Sequence, residues 1–347
     1  MSRRIALSLG LALASCTTPP PSAQIGNLDP ARFAPLTSSA DLAAVPFPVP
    51  PPGAIPPDQR ACIVPVPTAT IRQRIDACTA AIASGNHPPA LMSNSYHARS
   101  RAQLEASDLP RAMEDAETAL RLAPDAPTAL LQRAVVHERR GGLRAALVDL
   151  DAVITREPGA APPRLLRGLL HVRAGRHDAA LADADVAIRT SAANGHLLRG
   201  IALRAMGKFD AALAEAEAAM RLAPDQVVHR TLRAHIRLDL RDYAGAAADY
   251  DIVLSQVPNA AAARVGRGAA RLRLEQLPQA LDDLDRAVAL APNNAAIRNQ
   301  RGLAHARMGN RALAITDHAE AARLDPTTVQ YAENRRLLEA GFVSSRP

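Results

Sequence analysis

Seven arginines, Arg99, Arg133, Arg167, Arg199, Arg233, Arg267 and Arg301, stand 34, 34, 32, 34, 34 and 34 residues apart. A period of this length marks a supersecondary unit repeated in line, so the fold is restricted to an array in which each unit packs on its neighbours. The same steps carry Ala112, Ala146, Ala180, Ala212, Ala246, Ala280 and Ala314. Each arginine is followed by a small residue: Ser100, Ala134, Gly168, Gly200, Ala234, Gly268 or Gly302. Units close on Pro124, Pro158, Pro224, Pro258, Pro292 and Pro326, while Ala192 takes that slot in the one unit that is two residues short.

Sixteen residues after each arginine comes an acid: Asp115, Asp149, Asp183, Glu215, Asp249, Asp283 and Asp317. The midpoints are Ser107, Gly141, Gly175, Gly207, Arg241, Glu275 and Gly309, four of them glycine, the usual breaker between helices. Each unit therefore reads as a helical hairpin folded at its midpoint. Residues equidistant from such a turn share a height, which sets every arginine opposite its own acid. A buried guanidinium must be paired, so these columns are expected to be internal cement and not a ligand ladder. By the same geometry the small residue and the repeated alanine meet where the two helices cross. A second acidic column, Glu117, Asp151, Asp185, Glu217, Asp251 and Asp285, reads as a solvated helix face.

A 34-residue helix-turn-helix unit with a small residue in its first helix, alanine early in its second and proline at its end resembles the tetratricopeptide repeat. Seven copies cover 93–328. The resemblance implies an all-α, right-handed superhelix whose first helices line a concave groove for peptides or partner domains. The chain departs from the family in having no Trp and only four Tyr and four Phe. The slot that often holds Tyr carries Gln103, His137, His171, Leu203, Arg237, Arg271 and His305. Ahead of the array, 68–92 is expected to supply an N-terminal helix or half-repeat; behind it, 329–347 supplies a polar capping helix and tail.

The first fifteen residues have the parts of an export signal: Arg3 and Arg4, an apolar run over 5–14, then small residues before Cys16. The run is too short to span a bilayer, which needs about 20 residues. Leu13-Ala14-Ser15-Cys16 resembles the lipobox of bacterial lipoproteins, which implies acylation of Cys16. Thr17 after it resembles outer-membrane sorting in diderm bacteria. Residues 16–67 hold half of the chain's 28 prolines and read as a disordered, extended tether. In an oxidising compartment the remaining cysteines, Cys62 and Cys78, are expected to pair. The basic excess is mild, 41 Lys and Arg against 34 Asp and Glu, and does not point to nucleic acid.

No constellation for chemistry emerges from the residue pattern. His171 and His177, like His229 and His235, are six apart and so sit on different helix faces, and His137, His171 and His305 share one slot of the repeat. Gly141-Gly142 is a hairpin turn and not a phosphate loop. We therefore expect no catalytic residue, metal, cofactor or small-molecule substrate. Late in the first helices stand Arg139, Arg173, Arg204, Arg273 and Arg307, mixed with Val172, Leu203, Leu238 and Leu272. These arginines are expected to form a broken basic stripe in the groove for an acidic or acidic-apolar partner segment. The carboxylate clamp of chaperone-binding repeats has no counterpart, since His97, Arg101 and Gln132 stand near its positions. The reading is a periplasmic, lipid-anchored protein scaffold. Assistance to pilus or secretion assembly and organisation of peptidoglycan enzymes are both compatible with it.

Overall fold

All seven expected hairpins turn at a residue in the left-handed region: Ser107, Gly141, Gly175, Gly207, Arg241, Glu275 and Gly309 have φ between 58° and 78°. The residue that follows each donates its backbone N–H to the carbonyl five places back at 2.8–2.9 Å, as in Gly142 to His137 and Asn310 to His305. This closes the last carbonyls of the first helix and reverses the chain. The computed structural model describes residues 55–64, 68–85 and 87–341.

The hairpins are α3 (Pro89–Glu105) with α4 (Leu109–Leu122), α5 (Pro127–Arg139) with α6 (Leu143–Arg156), and α7 (Ala161–Arg173) with α8 (His177–Thr190). They continue as α9 (Ala192–Ala205) with α10 (Phe209–Leu222), α11 (Val227–Asp239) with α12 (Tyr243–Gln256), and α13 (Ala261–Arg273) with α14 (Leu277–Leu290). The last is α15 (Ala295–Arg307) with α16 (Arg311–Leu324), capped by α17 (Val329–Glu339). Most successive first helices pack on one another as well as on their own partners, in a superhelical solenoid.

Packing within a hairpin follows from the alanine column, whose seven members are all 0 % exposed. A Cβ added at Gly268 would lie 3.0 Å from Leu284 and 3.3 Å from the carbonyl of Ala280, so the small slot and the alanine column form the helix crossing. Ser100 uses the same closeness to donate its hydroxyl to the Ala112 carbonyl at 2.7 Å. Leucine, valine and isoleucine from neighbouring units then fill the space between hairpins, as in the cluster of Leu130, Leu131, Val135, Leu150, Leu166 and Leu170.

The short unit has a local consequence. Elsewhere four residues join a second helix to the next first helix, but α8 and α9 are separated by Ser191 alone. The start of α9 is pressed against the end of α8, and a Cβ at Gly195 would lie 2.5 Å from the backbone nitrogen of Ile188. Only glycine fits there.

The N-terminal end departs from the expected boundaries. Residues 57–63, read as tether, form α1 (Pro57–Ile63), which packs on α2 (Ile71–Ala83). Pro57 occupies the first helical position, where its missing N–H costs nothing, so proline content did not forbid a helix. Ile55, Cys62, Ile63, Cys78 and Ala81 make a small core, and fully buried Gln59 donates to the Ala81 carbonyl at 2.7 Å. The array is thus preceded by a whole hairpin and not a half-repeat. Residues 1–54 and 342–347, which include the signal, Cys16 and most of the proposed tether, lie outside the described residues.

Three turns hold a non-glycine residue in the left-handed region, which strains an L-amino acid by about 1 kcal/mol or more. Glu275 is exposed at such a turn. Glu275→Gly should raise the thermal midpoint, with a gain of about 0.5–1 kcal/mol once the backbone freedom of glycine is subtracted. Thermal unfolding by circular dichroism checks it; a lowered midpoint would show that the turn is not strained.

Candidate functional site

The most regular polar feature is a set of guanidinium–carboxylate pairs across the hairpins. Six column arginines grip their acid through Nε and Nη2 together: Arg99–Asp115, Arg133–Asp149, Arg167–Asp183, Arg233–Asp249, Arg267–Asp283 and Arg301–Asp317, at 2.5–2.9 Å. The six aspartates are buried, none more than 3 % exposed. In the unit that follows the short one, Arg199 reaches Glu215 through Nη2 alone at 2.8 Å, and His196 takes the other carboxylate oxygen at 2.7 Å. The hydrogen bonds to the acid hold the column guanidiniums more firmly protonated than free arginine, against the opposing effect of burial.

Buried carboxylates draw further cations from the same helix. Arg164, three residues before Arg167, reaches Asp183 at 3.1 Å, and Arg237 and Arg271, four residues after the column, reach Asp249 and Asp283 at 2.9 and 2.8 Å. Arg164, Arg264 and Arg298 also donate to the carbonyls of Pro158, Pro258 and Pro292, satisfying the loop between units. Two arginines in the slot that the family often fills with Tyr therefore serve the acid column.

The second acidic column is exposed, Asp151, Asp185, Asp251 and Asp285 showing 51–62 % of their side chains. It is also a set of ties between units. Arg167 reaches back to Asp151 at 2.7 Å, Arg199 to Asp185 at 3.3 Å, Arg267 to Asp251 at 2.6 Å and Arg301 to Asp285 at 3.1 Å. Glu117 and Glu217 act on Arg133 and Arg233 only as nearby charges. Arg99, with no full repeat before it, instead meets Thr79 of α2 at 3.2 Å and covers the Tyr96 ring. A ladder of acid and arginine thus runs along the array, with direct bonds at four of the six joints between hairpins.

The proposed groove arginines do not form one exposed row. Arg204 is buried and bound to Asp239 of the next unit at 2.5 and 3.3 Å. Arg173 pairs with Glu138 of the unit before, and Arg307 donates to the Leu272 carbonyl at 3.0 Å. Burial, and then the nearby charge of Arg273, lowers the Arg307 pKa. Arg139 is exposed and Arg273 half-buried. The reason is register: Arg204 lies one residue earlier in its unit than the other four, whose place is held by Ala205 and Asp239 in the fourth and fifth units. Three of the five tie successive first helices together.

His196 and His87 bind carboxylates, and several other histidines are packing groups. Burial pushes His97 and His235 down to about 3 and His318 to about 4, so they are neutral at pH 7. His318 is fully buried against Gly302, and burial also lowers His137, His171 and His305. Among the described residues no three His, Cys, Asp or Glu side chains are placed to hold a metal ion. An open depression of about 1040 Å³ lies between the loops at 291–296 and 324–331. Its one carboxylate, Asp325, is engaged by Thr327 and Thr328 at 2.6 and 2.7 Å. Cys62 and Cys78 are joined in a disulfide between α1 and α2, Cα to Cα 4.4 Å, with the same 16-residue separation as the ion pairs.

A sequence profile described as a tetratricopeptide repeat matches 97–162, 131–195, 231–295 and 270–328. The chain belongs to the tetratricopeptide-repeat family. The matches leave out 196–230, immediately after the two-residue deletion that brings α8 and α9 together. No curated protein matches the tetratricopeptide chain by sequence. Similar solved structures include a chain of the APC/C hetero-tetramer Cut9–Hcn1, with TM-score 0.63 and 15 % identity over 77 % of this chain. Yeast Tom70 gives TM-score 0.57 and 18 % identity over 78 %, and a tetratricopeptide repeat protein from Parabacteroides merdae gives 0.56 and 16 % over 71 %. This chain spans 52 % of the Cut9–Hcn1 chain, 59 % of Tom70 and 98 % of the Parabacteroides protein. These likenesses show the shared repeat architecture.

Arg133 and Asp149 make the cleanest test of the column, because Asp249 and Asp283 each hold several arginines. Asp149→Ala should cost about 3 kcal/mol by stranding a partly buried guanidinium. Arg133→Ala with Asp149→Ala should cost less than the sum of the two single losses, by about 1–3 kcal/mol. Urea unfolding of the four proteins measures this, and additive losses would show that the two side chains do not interact.

Proposed function

We propose that this tetratricopeptide array is a non-catalytic scaffold for protein partners, held on the periplasmic side of a bacterial envelope by a lipid on Cys16. The family supports the coarser statement, a protein-interaction scaffold. The observation that carries the reading is the ladder. The column carboxylates are consumed by arginines inside the stack, so the conspicuous polar groups serve the solenoid and its surface is left for partners. The lipid anchor rests on the lipobox-like Leu13 to Cys16 and the outer-membrane assignment on Thr17. Service to a pilus or secretion assembly and service to peptidoglycan enzymes remain the two uses this location suggests.

One acyl chain gives marginal, reversible membrane binding, so stable anchoring needs the several chains of a mature lipoprotein. Metabolic labelling with a fatty acid should mark the wild type and spare Cys16→Ser, and the substituted protein should leave the membrane fraction. Equal labelling of the two proteins, or none, contradicts the anchor. For the scaffold, a photo-crosslinker at exposed Ala205 should capture partners more strongly than one at exposed Ala182 on a second helix. Equal capture would remove the inner face as the binding side.

A further inference from the structure

The cations that the ladder leaves over are not spread evenly. They gather at the hairpin turns of the second and third units, where Arg139, Arg140, Arg144 and Arg176 are all exposed and none belongs to the ladder. The acids nearby do not balance them. Glu138 is paired with Arg173, and exposed Asp178 is one charge against four. Most other turns contain their own counter-charge or none: Asp108 binds Arg111, Asp242 faces Arg237, and Glu275 sits in the sixth turn.

A depression of about 720 Å³ opens at the same place, lined by His137, Leu143, Arg144 and Val148 and by Arg133 and Asp149, which are paired with each other. Val148 is 62 % exposed, the most exposed large aliphatic within the seven hairpins. His137, at the wall of this depression, is lowered in pKa chiefly by burial, with the Asp149 carboxylate opposing and Arg133 and Arg140 adding to the lowering. The surface therefore offers an exposed aliphatic side chain beside Arg144, with Arg139, Arg140 and Arg176 exposed at the same and the next hairpin turn.

We propose that this turn edge is a docking site for an acidic partner segment that carries an aliphatic side chain, the carboxylates meeting Arg139, Arg140, Arg144 and Arg176 and the aliphatic group covering Val148. This rests on the scaffold reading and gives it a second address, outside the inner face. Charge complementarity selects the occupant. The chain's own N-terminal stretch does not supply it, because 17–54 holds only Asp29 and Asp41 against Arg32. Guanidinium groups suit carboxylates through paired hydrogen bonds, and an exposed cluster of like charge speeds encounter with an anionic partner while salt weakens it.

The probe is a fluorescein-labelled peptide of eight glutamates around one central leucine, titrated with the full chain by fluorescence anisotropy at low and high salt. Arg140→Glu, Arg144→Glu and Arg176→Glu together should weaken binding by about tenfold or more. Arg121→Glu, Arg189→Glu and Arg221→Glu, exposed arginines on second helices and their distal ends, change net charge equally and should leave it nearly unchanged. Val148→Ser should weaken the leucine peptide and not its serine counterpart. Circular dichroism melts of the variants establish that they are folded. Equal losses in the two triple variants would mean attraction to net charge alone and overturn the site. Binding to phosphatidylglycerol vesicles that is lost in the first triple variant, with no binding of the peptide, would replace the protein partner by a membrane surface and also overturn it. Salt-sensitive self-association of the wild type that the same variant abolishes would assign the patch to a second copy of the chain, with the same result. Retained Ala205 crosslinks in a variant that has lost the peptide leave the scaffold reading intact, whereas lost crosslinks at Ala205 in the wild type would strike that reading and not this site.

Discussion

The structure depends on how a buried aspartate is paired. A carboxylate removed from water costs several kcal/mol unless it is paired and its lone pairs are filled. Asp183 shows the solution used down the array: it is 1 % exposed, gripped by Nε and Nη2 of Arg167 and approached by Arg164. The planar fork of arginine makes this possible, and one guanidinium can hold two acids at once. Arg167 therefore also reaches Asp151 of the unit before, and a pair that closes one hairpin becomes a tie between two.

The ladder explains why so few aromatic residues suffice. Each hairpin crosses through small residues and alanine, and the space that a large ring could fill is occupied by arginine stems and aliphatic side chains. Tyr250 is an instructive exception: it is fully buried, sits edge-on to His235, and is accommodated only because Gly266 has no side chain. Ends of the array need other devices. The disulfide and Gln59 close the first hairpin, Thr79 stands in for the missing acid at Arg99, and Asn334 donates to Asn299 where α17 covers the last unit.

Much of this was legible because an antiparallel hairpin converts sequence separation into height. The midpoint of Arg133 and Asp149 is Gly141, the turn itself. What stayed hidden required comparing neighbouring units. Arg173 with Glu138 and Arg204 with Asp239 are 35 residues apart, a separation that means nothing until the superhelix lays one first helix on the next. Two signals were available and unread: Arg230 and Arg237 stand three before and four after Arg233, the spacing that puts all three on one helix face toward Asp249. The helix at Pro57–Ile63 was obscured by proline, which marks a spacer by composition but a helix start by position.

The central claim is that a column arginine with an aspartate behind it, as Arg167, Arg199, Arg267 and Arg301 have, couples two units and not one. Arg267 allows the most direct test, since it holds Asp283 in its own unit and Asp251 in the unit before. Arg267→Met keeps the aliphatic stem and removes both bonds. Amide hydrogen exchange should then accelerate in α14 and also in α12 of the preceding hairpin, by about tenfold for the loss of charge-assisted hydrogen bonds. Acceleration confined to α13 and α14, with α12 as protected as in the wild type, would contradict the account.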